Sequence, residues 1–252
     1  MGLVQRLFPS GDAADLAVDT AFDEYAYPTL AGGRWWLRAN MLSSVDGAVA
    51  GADGRSGSLS TDTDRALLRH LRGLCDAIVV GAGTARTEDY GPPSVDEATL
   101  LRREAEGLAP RPRLVVVSRS LSLDAGARLF SGPDRVLVVT SRAADWNAVE
   151  RLAEVADVVR AGDDDVDLGE VLGVLADQGL RRLLCEGGPS LLADVVADRL
   201  LDELCLTTTP TLVGGAAPRI AAGAAPDPRF ELSLASMLRE SDGTLFSRWV
   251  RR

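Results

Sequence analysis

The chain has 252 residues, which suits one α/β domain of ordinary to large size or two small ones, and 46% of them are hydrophobic. The formal net charge is −10, and no run of lysine or arginine is long enough to form a basic surface, which argues against nucleic-acid binding. No apolar stretch approaches the roughly 20 residues of a membrane helix, and the N-terminus lacks a secretory pattern, so we expect no membrane partner.

The cysteines and the histidine bear on location and on metal binding. Cys75, Cys185 and Cys205 lie in or beside apolar runs and form no CxxC pair. This pattern predicts buried free thiols in a reducing cytoplasm. The one histidine, His70, has no evident Asp or Cys partner, so we predict a surface or packing role for it and no metal site.

Residues 1–33 form a predicted N-terminal extension with one helix, Asp15 to Tyr25. Pro28 and the pair Gly32-Gly33 separate it from a predicted domain over residues 34–252. We interpret the extension as a packing arm without chemistry.

The first strong strand candidate is Trp35 to Met41, which leads into Ser43-Ser44-Val45-Asp46-Gly47. Asp46-Gly47 is a turn signal between two apolar segments, and most such aspartates only cap their turn. Asp46 also follows a strand, where α/β sheets place ligand groups. Both roles stay open at this point.

Capping chemistry at Ser60-Thr61-Asp62 predicts the start of a helix that runs to about Leu74. Its leucines form an apolar stripe, and Arg65, Arg69 and Arg72 fall largely on the other side. A charged helix face is usually solvated surface. Arg65 lies in the first turn near the Asp46 loop, so it is the candidate for contact with an anionic substrate.

The next predicted strand, Asp76 to Val80, is nearly all apolar, as expected for a strand covered on both faces. It ends in Gly81-Ala82-Gly83-Thr84. The dinucleotide-binding fingerprint fails here because Arg86 occupies the position of its third glycine. A tight loop with the Thr84 hydroxyl still suits a ribose or a phosphate.

Two later strands end with a hydroxyl followed by an arginine. Arg113 to Val117 leads into Ser118-Arg119, and Arg135 to Val139 leads into Thr140-Ser141-Arg142. Arginine suits a 2′-phosphate through its charge and its bidentate fork. Either arginine can equally face solvent.

The segment Arg182 to Leu192 reads as a strand, a glycine pair and a helix. The turn Glu186-Gly187-Gly188 has few side chains, so an anion can approach its backbone. The helix that begins near Ser190 offers unpaired N–H groups and the positive end of its dipole, which is how proteins hold phosphate without lysines. The alternative is a strand-to-helix turn that simply needs glycine.

The remaining segments complete the fold prediction. Helices are predicted at 96–107, 147–155 and 168–178, and a strand at 157–160. A hairpin of 231–239 and 244–250 turns at Asp242-Gly243. Alternating strands and helices that end in antiparallel strands predict a three-layer α/β/α domain with a mixed, mostly parallel sheet.

Several of these segments together resemble one family, the pyrimidine reductase of riboflavin biosynthesis, which is the C-terminal domain of RibD. The segments are Ser43-Ser44-Val45-Asp46-Gly47, the run from Asp76 to Thr84, Glu186-Gly187-Gly188-Pro189-Ser190-Leu191 and Leu201-Asp202-Glu203-Leu204. They occur in the right order and cover most of residues 34–250. The resemblance implies a dihydrofolate-reductase-like fold and a homodimer.

The resemblance also implies an activity. Hydride would pass from NADPH to C1′ of a ring-opened 5-amino-6-(5-phosphoribosylamino)uracil, giving a ribitylamino product. Carried over by motif, with Arg119 added from its strand end, the cofactor residues are Ala39, Asn40, Gly81, Gly83, Thr84, Ser118, Arg119, Ser141, Glu186, Gly187, Gly188 and Ser190. The substrate residues are Ser44, Asp46, Ser60, Arg65 and Glu186. Asp46 is the catalytic candidate, and the glycine pair is expected to be joined by a cis peptide.

This sequence departs from the family in places. It contains no HxE and no PCxxC, so we expect a stand-alone reductase without the deaminase domain. Ser58 and Glu88-Asp89-Tyr90 differ from the family pattern toward the substrate side. Two alternatives therefore remain beside the leading hypothesis: a dihydrofolate-reductase-type activity, and a paralogue that binds NADP(H) without turnover.

Overall fold

The computed structural model describes residues 2–9, 15–32 and 34–252, and within those ranges eleven strands form one sheet. The strands are β1 (Leu3–Phe8), β2 (Asp15–Ala17), β3 (Trp36–Ser44), β4 (Ala77–Gly81), β5 (Arg113–Val117), β6 (Val136–Thr140), β7 (Ala156–Arg160), β8 (Arg182–Cys185), β9 (Glu203–Thr209), β10 (Leu232–Glu240) and β11 (Leu245–Arg251). Their order across the sheet is β2-β1-β10-β11-β9-β3-β8-β4-β5-β6-β7.

The sheet has a parallel part and an antiparallel part. Every pairing from β9 through β3, β8, β4, β5 and β6 to β7 is parallel. Strands β11, β10, β1 and β2 continue the sheet with antiparallel pairings, which confirms the predicted C-terminal hairpin. Strand β8 lies between β3 and β4, so its carboxyl end is at the centre of the parallel part.

Helices cover both faces of the parallel part, so the predicted three-layer α/β/α arrangement is confirmed. The helices are α1 (Val18–Phe22), α2 (Asp62–Leu74), α3 (Ala82–Thr87), α4 (Glu97–Ala105), α5 (Trp146–Ala153), α6 (Leu168–Asp177) and α7 (Pro189–Ala197). Helices α2, α3 and α5 contribute to one core cluster, and α6 and α7 contribute to the other. No helix in the described ranges has the length and apolar character needed to cross a bilayer.

Local sequence explains several of these elements. The Thr61 side chain caps α2 by accepting a hydrogen bond from the Asp64 amide, as the capping signal predicted. Leu67 and Leu71 bury the apolar stripe of this helix against the sheet. Strand β5 begins and ends at the predicted residues, and β4 has both faces covered, as its apolar run indicated.

Two local predictions were wrong. The segment from Asp15 to Tyr25 is not one helix: it forms β2, the short α1 and a 3-10 turn at Asp23–Tyr25. The predicted tight loop at Gly81-Ala82-Gly83-Thr84 is instead the start of a helix, because α3 begins at Ala82. The predicted domain boundary at Gly33 lies outside the described residues. The described part of the extension adds β1 and β2 to the antiparallel edge of the sheet.

Candidate functional site

A cavity of about 1220 Å³ opens at the carboxyl ends of β3, β8, β4 and β5. Parallel sheets place ligands at this edge, because the loops that follow the strands meet there. The cavity exceeds the roughly 300–1,000 Å³ of a pocket for one small ligand, so it has room for two ligands side by side. The segments that line it come from residues 40–68, 81–90, 117–120, 165–168, 186–198 and 213–218.

The glycine turn after β8 forms the floor of the cavity. The Gly81 amide donates to the Gly187 carbonyl at 2.8 Å, which ties the end of β4 to the turn. Gly187 has a φ of +78°, a conformation that favours glycine, and the Gly187–Gly188 peptide is cis, as the resemblance implied. A Cβ on Gly188 would lie 2.2 Å from Thr84 Oγ1. Glycine is therefore favoured at 187 by the backbone conformation and at 188 by the close approach of Thr84.

Two helices begin at this floor. Gly81 is the N-cap of α3 and Gly188 is the N-cap of α7, and neither cap has a side-chain hydrogen bond. The first amides of a helix have no acceptor within the helix, and its N-terminus carries partial positive charge. The backbone of the floor therefore presents donors to an anion in the cavity.

Glu186 lies beside the glycine pair, and its side chain is 4% exposed. Its carboxylate accepts from Arg72 Nε at 2.7 Å and Nη2 at 2.6 Å, and from the Tyr90 hydroxyl at 2.6 Å. Burial raises the pKa of Tyr90, so its hydroxyl stays a donor. Burial disfavours the charge on Arg72, but the Glu186 carboxylate outweighs this, and the pKa of Arg72 is raised. The sequence pattern had indicated a solvated face for Arg72. The structure instead pairs its guanidinium with buried Glu186.

The residues predicted near the nicotinamide fall on opposite faces of β3. Asn40 lines the cavity, and its buried Oδ1 has no hydrogen-bond partner among the described residues. Ala39 is fully buried in the core cluster on the other face and is not part of the lining. Met41, on the same face of β3 as Ala39, does line the cavity, so Ala39 is excluded because it lies one pleat further from the carboxyl end of the strand.

Asp46 holds a loop rather than lining the cavity. Its exposed carboxylate accepts from the amides of Val213 and Gly214 at 3.2 and 2.8 Å and from the Ser44 hydroxyl at 2.5 Å. Of these contacts the Ser44 hydroxyl acts most strongly, and the pKa of Asp46 is lowered to about 2. Residues 213–218, which we call the strap, do line the cavity. Ser44 is buried beneath the turn and is absent from the lining.

Ser60 and Arg65 lie at the mouth of the cavity, at the start of α2. The Ser60 hydroxyl donates to Asp64 Oδ2 at 2.6 Å. Arg65 is exposed and donates to Asp62 at 2.9 Å and to the Ser60 carbonyl at 3.0 Å. Its guanidinium therefore carries only exposed partners, which a substrate anion can displace.

The two strand ends that carry a hydroxyl and an arginine differ in their position relative to the cavity. Ser118 is buried in the cavity wall, and its Oγ has no hydrogen-bond partner among the described residues. Arg119 follows it in the wall and donates to Asp165 at 2.7 Å and to Asp194 at 2.5 Å. Ser141 is buried after β6 and is not in the lining. Strand β6 lies one position further from the cavity than β5.

The structure thus brings most of the predicted site residues together. The cavity lining includes Asn40, Ser60, Arg65, Gly81, Gly83, Thr84, Ser118, Arg119, Glu186, Gly188 and Ser190. It does not include Ala39, Ser44, Asp46, Ser141 or Gly187, although Gly187 forms the turn beneath it. Within the described residues, no group of three or more His, Cys, Asp or Glu side chains is arranged to hold a metal ion.

Sequence reasoning missed the partners of Glu186. Arg72 follows Arg65 by seven residues and Leu68 by four, so all three share one face of α2. Leu68 and Arg65 line the cavity. The helical period therefore carried a signal for Arg72 once Arg65 had been selected. Tyr90 had no comparable signal, because it follows the end of α3.

Comparison with known proteins gives concordant matches. The family model described as the RibD C-terminal domain matches residues 35–246. The chain is 32% identical over 184 residues to a 2,5-diamino-6-ribosylamino-4(3H)-pyrimidinone 5′-phosphate reductase from Archaeoglobus fulgidus, covering 72% of this chain and 83% of the relative. A protein of the same name from Methanothermobacter thermautotrophicus is also 32% identical over 184 residues, with 72% and 81% covered.

A solved structure agrees. A pyrimidine reductase-like protein from Corynebacterium diphtheriae superposes with a TM-score of 0.78 at 30% identity, covering 86% of this chain and 92% of that one.

Proposed function

This chain belongs to the RibD C-terminal domain family, has a dihydrofolate-reductase-like fold and is an oxidoreductase, and we propose that it performs NADPH-dependent reduction of a phosphoribosylaminopyrimidine in riboflavin biosynthesis. One observation carries the proposal. The glycine turn lies at the floor of a cavity of about 1220 Å³, where a diphosphate and a second ligand both have room.

The residues present fit a nicotinamide dinucleotide. A Cβ at Gly188 would fill the space beside Thr84, so the turn keeps its backbone open to the cavity. Asn40 Oδ1 and Ser118 Oγ are buried polar atoms of the wall without partners among the described residues. Buried polar groups are normally hydrogen-bonded, so these two atoms are suited to ligand donors and acceptors. In this proposal Asn40 holds the nicotinamide end, and Ser118 with Arg119 holds the 2′-phosphate end.

When bound, NADPH would supply the hydride that adds to C1′ of the ring-opened imine, and the imine nitrogen would take a proton from solvent, so that the C=N bond would become CH–NH and NADPH would become NADP⁺. The task of the chain is to hold the reacting carbons together and to exclude water. Asn40 and Met41 form the wall at the end of β3, and the strap lines the cavity beside the turn that follows this strand.

In this proposal Asp46 orients the strap and does not transfer a proton. A carboxylate with a pKa of about 2 is ionised at neutral pH, so it does not donate the proton to the imine nitrogen. Its bonds to Val213 and Gly214 fix the strap at the substrate side. Ser60 and Arg65 lie at the mouth, where an exposed guanidinium suits the substrate phosphate.

The assay follows NADPH absorbance with three substrates offered separately. They are the uracil form named by the sequence resemblance, the 2,5-diaminopyrimidinone form named by the relatives, and dihydrofolate. We expect oxidation with a pyrimidine, a ribitylamino product by mass spectrometry, and a loss of about tenfold or more in kcat for Asn40→Ala. The exposed Asn147→Ala is the matched control.

Two outcomes contradict the proposal. Oxidation with dihydrofolate alone indicates the dihydrofolate-reductase-type alternative. Tight NADPH binding without turnover of either pyrimidine indicates the non-catalytic paralogue.

The proposal has three further parts. NADPH is preferred over NADH, because Ser118 and Arg119 end β5 in the cavity wall, and equal affinities would contradict this. A cytoplasmic location agrees with free, buried Cys75, Cys185 and Cys205. A homodimer is expected from the family, and light scattering of the purified chain tests it.

A further inference from the structure

The floor of the cavity carries a negative charge, the Glu186 carboxylate, beside the backbone proposed to bind an anion. Glu186 immediately precedes the glycine pair whose backbone we propose to hold a diphosphate. An ionised carboxylate and a diphosphate repel each other, and the repulsion is strong where water is excluded. The Glu186 side chain is 4% exposed, so little solvent screens it.

We propose that Arg72 is the counter-ion that makes this floor compatible with an anionic ligand, by holding Glu186 in a neutral bidentate pair. The inference rests on the proposed function, because it takes a dinucleotide diphosphate as the anion. Arg72 is a positioning residue here: it is absent from the cavity lining and acts through Glu186.

The geometry of the pair supports this role. Arg72 donates from Nε and Nη2 to separate carboxylate oxygens at 2.7 and 2.6 Å, the fork arrangement that gives arginine–carboxylate pairs their strength. Tyr90 donates to the oxygen that Nη2 contacts, and the guanidinium lies 5.6 Å from the centre of its ring. The carboxylate is thus balanced by a guanidinium on α2 that lies outside the cavity lining, and it accepts a further hydrogen bond from Tyr90 in the lining.

The rest of the cavity makes this balance necessary. Carboxylates outnumber guanidinium groups among the lining residues. The acidic residues are Asp64, Glu88, Asp165, Glu186, Asp194 and Asp198, and the basic ones are Arg65, Arg86 and Arg119. No surplus of basic side chains in this lining can compensate an unpaired Glu186. An anion is therefore held by backbone amides, provided that each nearby carboxylate is neutralised locally.

Four charge states of the pair make the idea testable. The wild type and the double variant Arg72→Met/Glu186→Gln both have net charge 0 at this position. Arg72→Met leaves −1 and Glu186→Gln leaves +1. A purely structural role for Arg72 predicts that the double variant is at least as damaged as Arg72→Met. The counter-ion role predicts that removing the carboxylate restores binding.

The experiment measures the affinity of each protein for NADPH and NADH by fluorescence titration at one salt concentration. We expect Arg72→Met to lose about tenfold or more in affinity for both nucleotides, because the unpaired buried carboxylate repels the diphosphate. The double variant should recover at least about fivefold of that loss. Arg69→Met, an exposed arginine on the same helix, should bind like the wild type.

The result that overturns the inference is a double variant that binds no better than Arg72→Met. If Arg72→Met does not fold, Glu186→Gln decides: its unpaired positive charge must raise NADPH affinity above that of the wild type, and an equal or lower affinity rejects the counter-ion role. A wild-type chain that binds neither nucleotide removes the proposed function and this inference together. Binding with failed rescue removes the inference alone.

Discussion

Two arginine–glutamate pairs serve different purposes: Arg38–Glu203 lies within the sheet, and Arg72–Glu186 joins α2 to the residue after β8. Arg38 and Glu203 are both fully buried, joined from Nε to Oε1 at 2.9 Å and from Nη2 to Oε2 at 3.0 Å. Arg248 and Trp36 also donate to Glu203, at 2.6 and 2.9 Å. Arg72 instead donates two hydrogen bonds to Glu186, from Nε and Nη2, and Glu186 also lines the cavity.

The difference follows from position along the strands. Glu203 is the first residue of β9, and Arg38 lies in the first half of β3, so their pair is near the amino ends of parallel strands. Glu186 directly follows β8, at the carboxyl end. In parallel sheets only the carboxyl ends open into ligand sites. The same ion-pair chemistry therefore supports folding at one end and ligand binding at the other.

The strongest test of this comparison is Glu203→Ala. The change leaves Arg38 and Arg248 buried without their shared carboxylate, so we expect a loss of about 3–5 kcal/mol in the free energy of unfolding by urea titration. NADPH affinity of the folded fraction should not change. Glu231→Ala, which removes an exposed partner of Arg252, should cost less than about 1 kcal/mol. Equal losses in the two variants would contradict the comparison.

A second test places a side chain in the glycine turn. Gly188→Ala puts a Cβ within 2.2 Å of Thr84 Oγ1, so we expect a loss of about 1–3 kcal/mol in stability and weaker NADPH binding. Adding Thr84→Ala removes the clashing oxygen and should restore part of the stability. Gly173→Ala is the control, since its Cβ would contact nothing within 4 Å. A single variant as stable as the wild type would show that the close approach is not required.

A third test compares two serines at the carboxyl ends of neighbouring parallel strands, Ser118 after β5 and Ser141 after β6. Ser118→Ala removes a hydroxyl that faces the cavity, and we expect NADPH affinity to fall by about fivefold, the effect of one hydrogen bond of about 1 kcal/mol. Ser141→Ala, at the equivalent end of β6, should leave affinity unchanged. Isothermal titration of both variants measures the difference. A larger loss in Ser141→Ala would reverse the assignment of the 2′-phosphate end.

The smallest expected effect concerns pH. The pKa of Asp46 is lowered from 3.8 to about 2, so its contacts with the strap contribute fully above about pH 4 and are lost as pH falls through about 2. The pH profile of kcat/KM should therefore show no limb from Asp46 between pH 5 and pH 8. Asp46→Asn should raise KM more than it lowers kcat. A limb near neutral pH that disappears in Asp46→Asn would show that Asp46 takes part in proton transfer.

The sequence by itself determined the elements and the type of site. Apolar runs and a capping signal predicted β4, β5 and α2. The Glu186-Gly187-Gly188 motif predicted the turn that forms the floor of the cavity. These features act over a few residues, so local propensity and periodicity are sufficient to predict them. The motifs in their order also indicated the family.

Only the tertiary structure decided which residues meet in the cavity. Arg72 reaches Glu186 across 114 positions of sequence, and Asp46 reaches Gly214 across 168. Ser118 and Ser141 have the same local pattern, and the strand order alone separates them. Such contacts depend on how helices pack on the sheet and on which strands are neighbours. Side-chain periodicity within one element does not encode them.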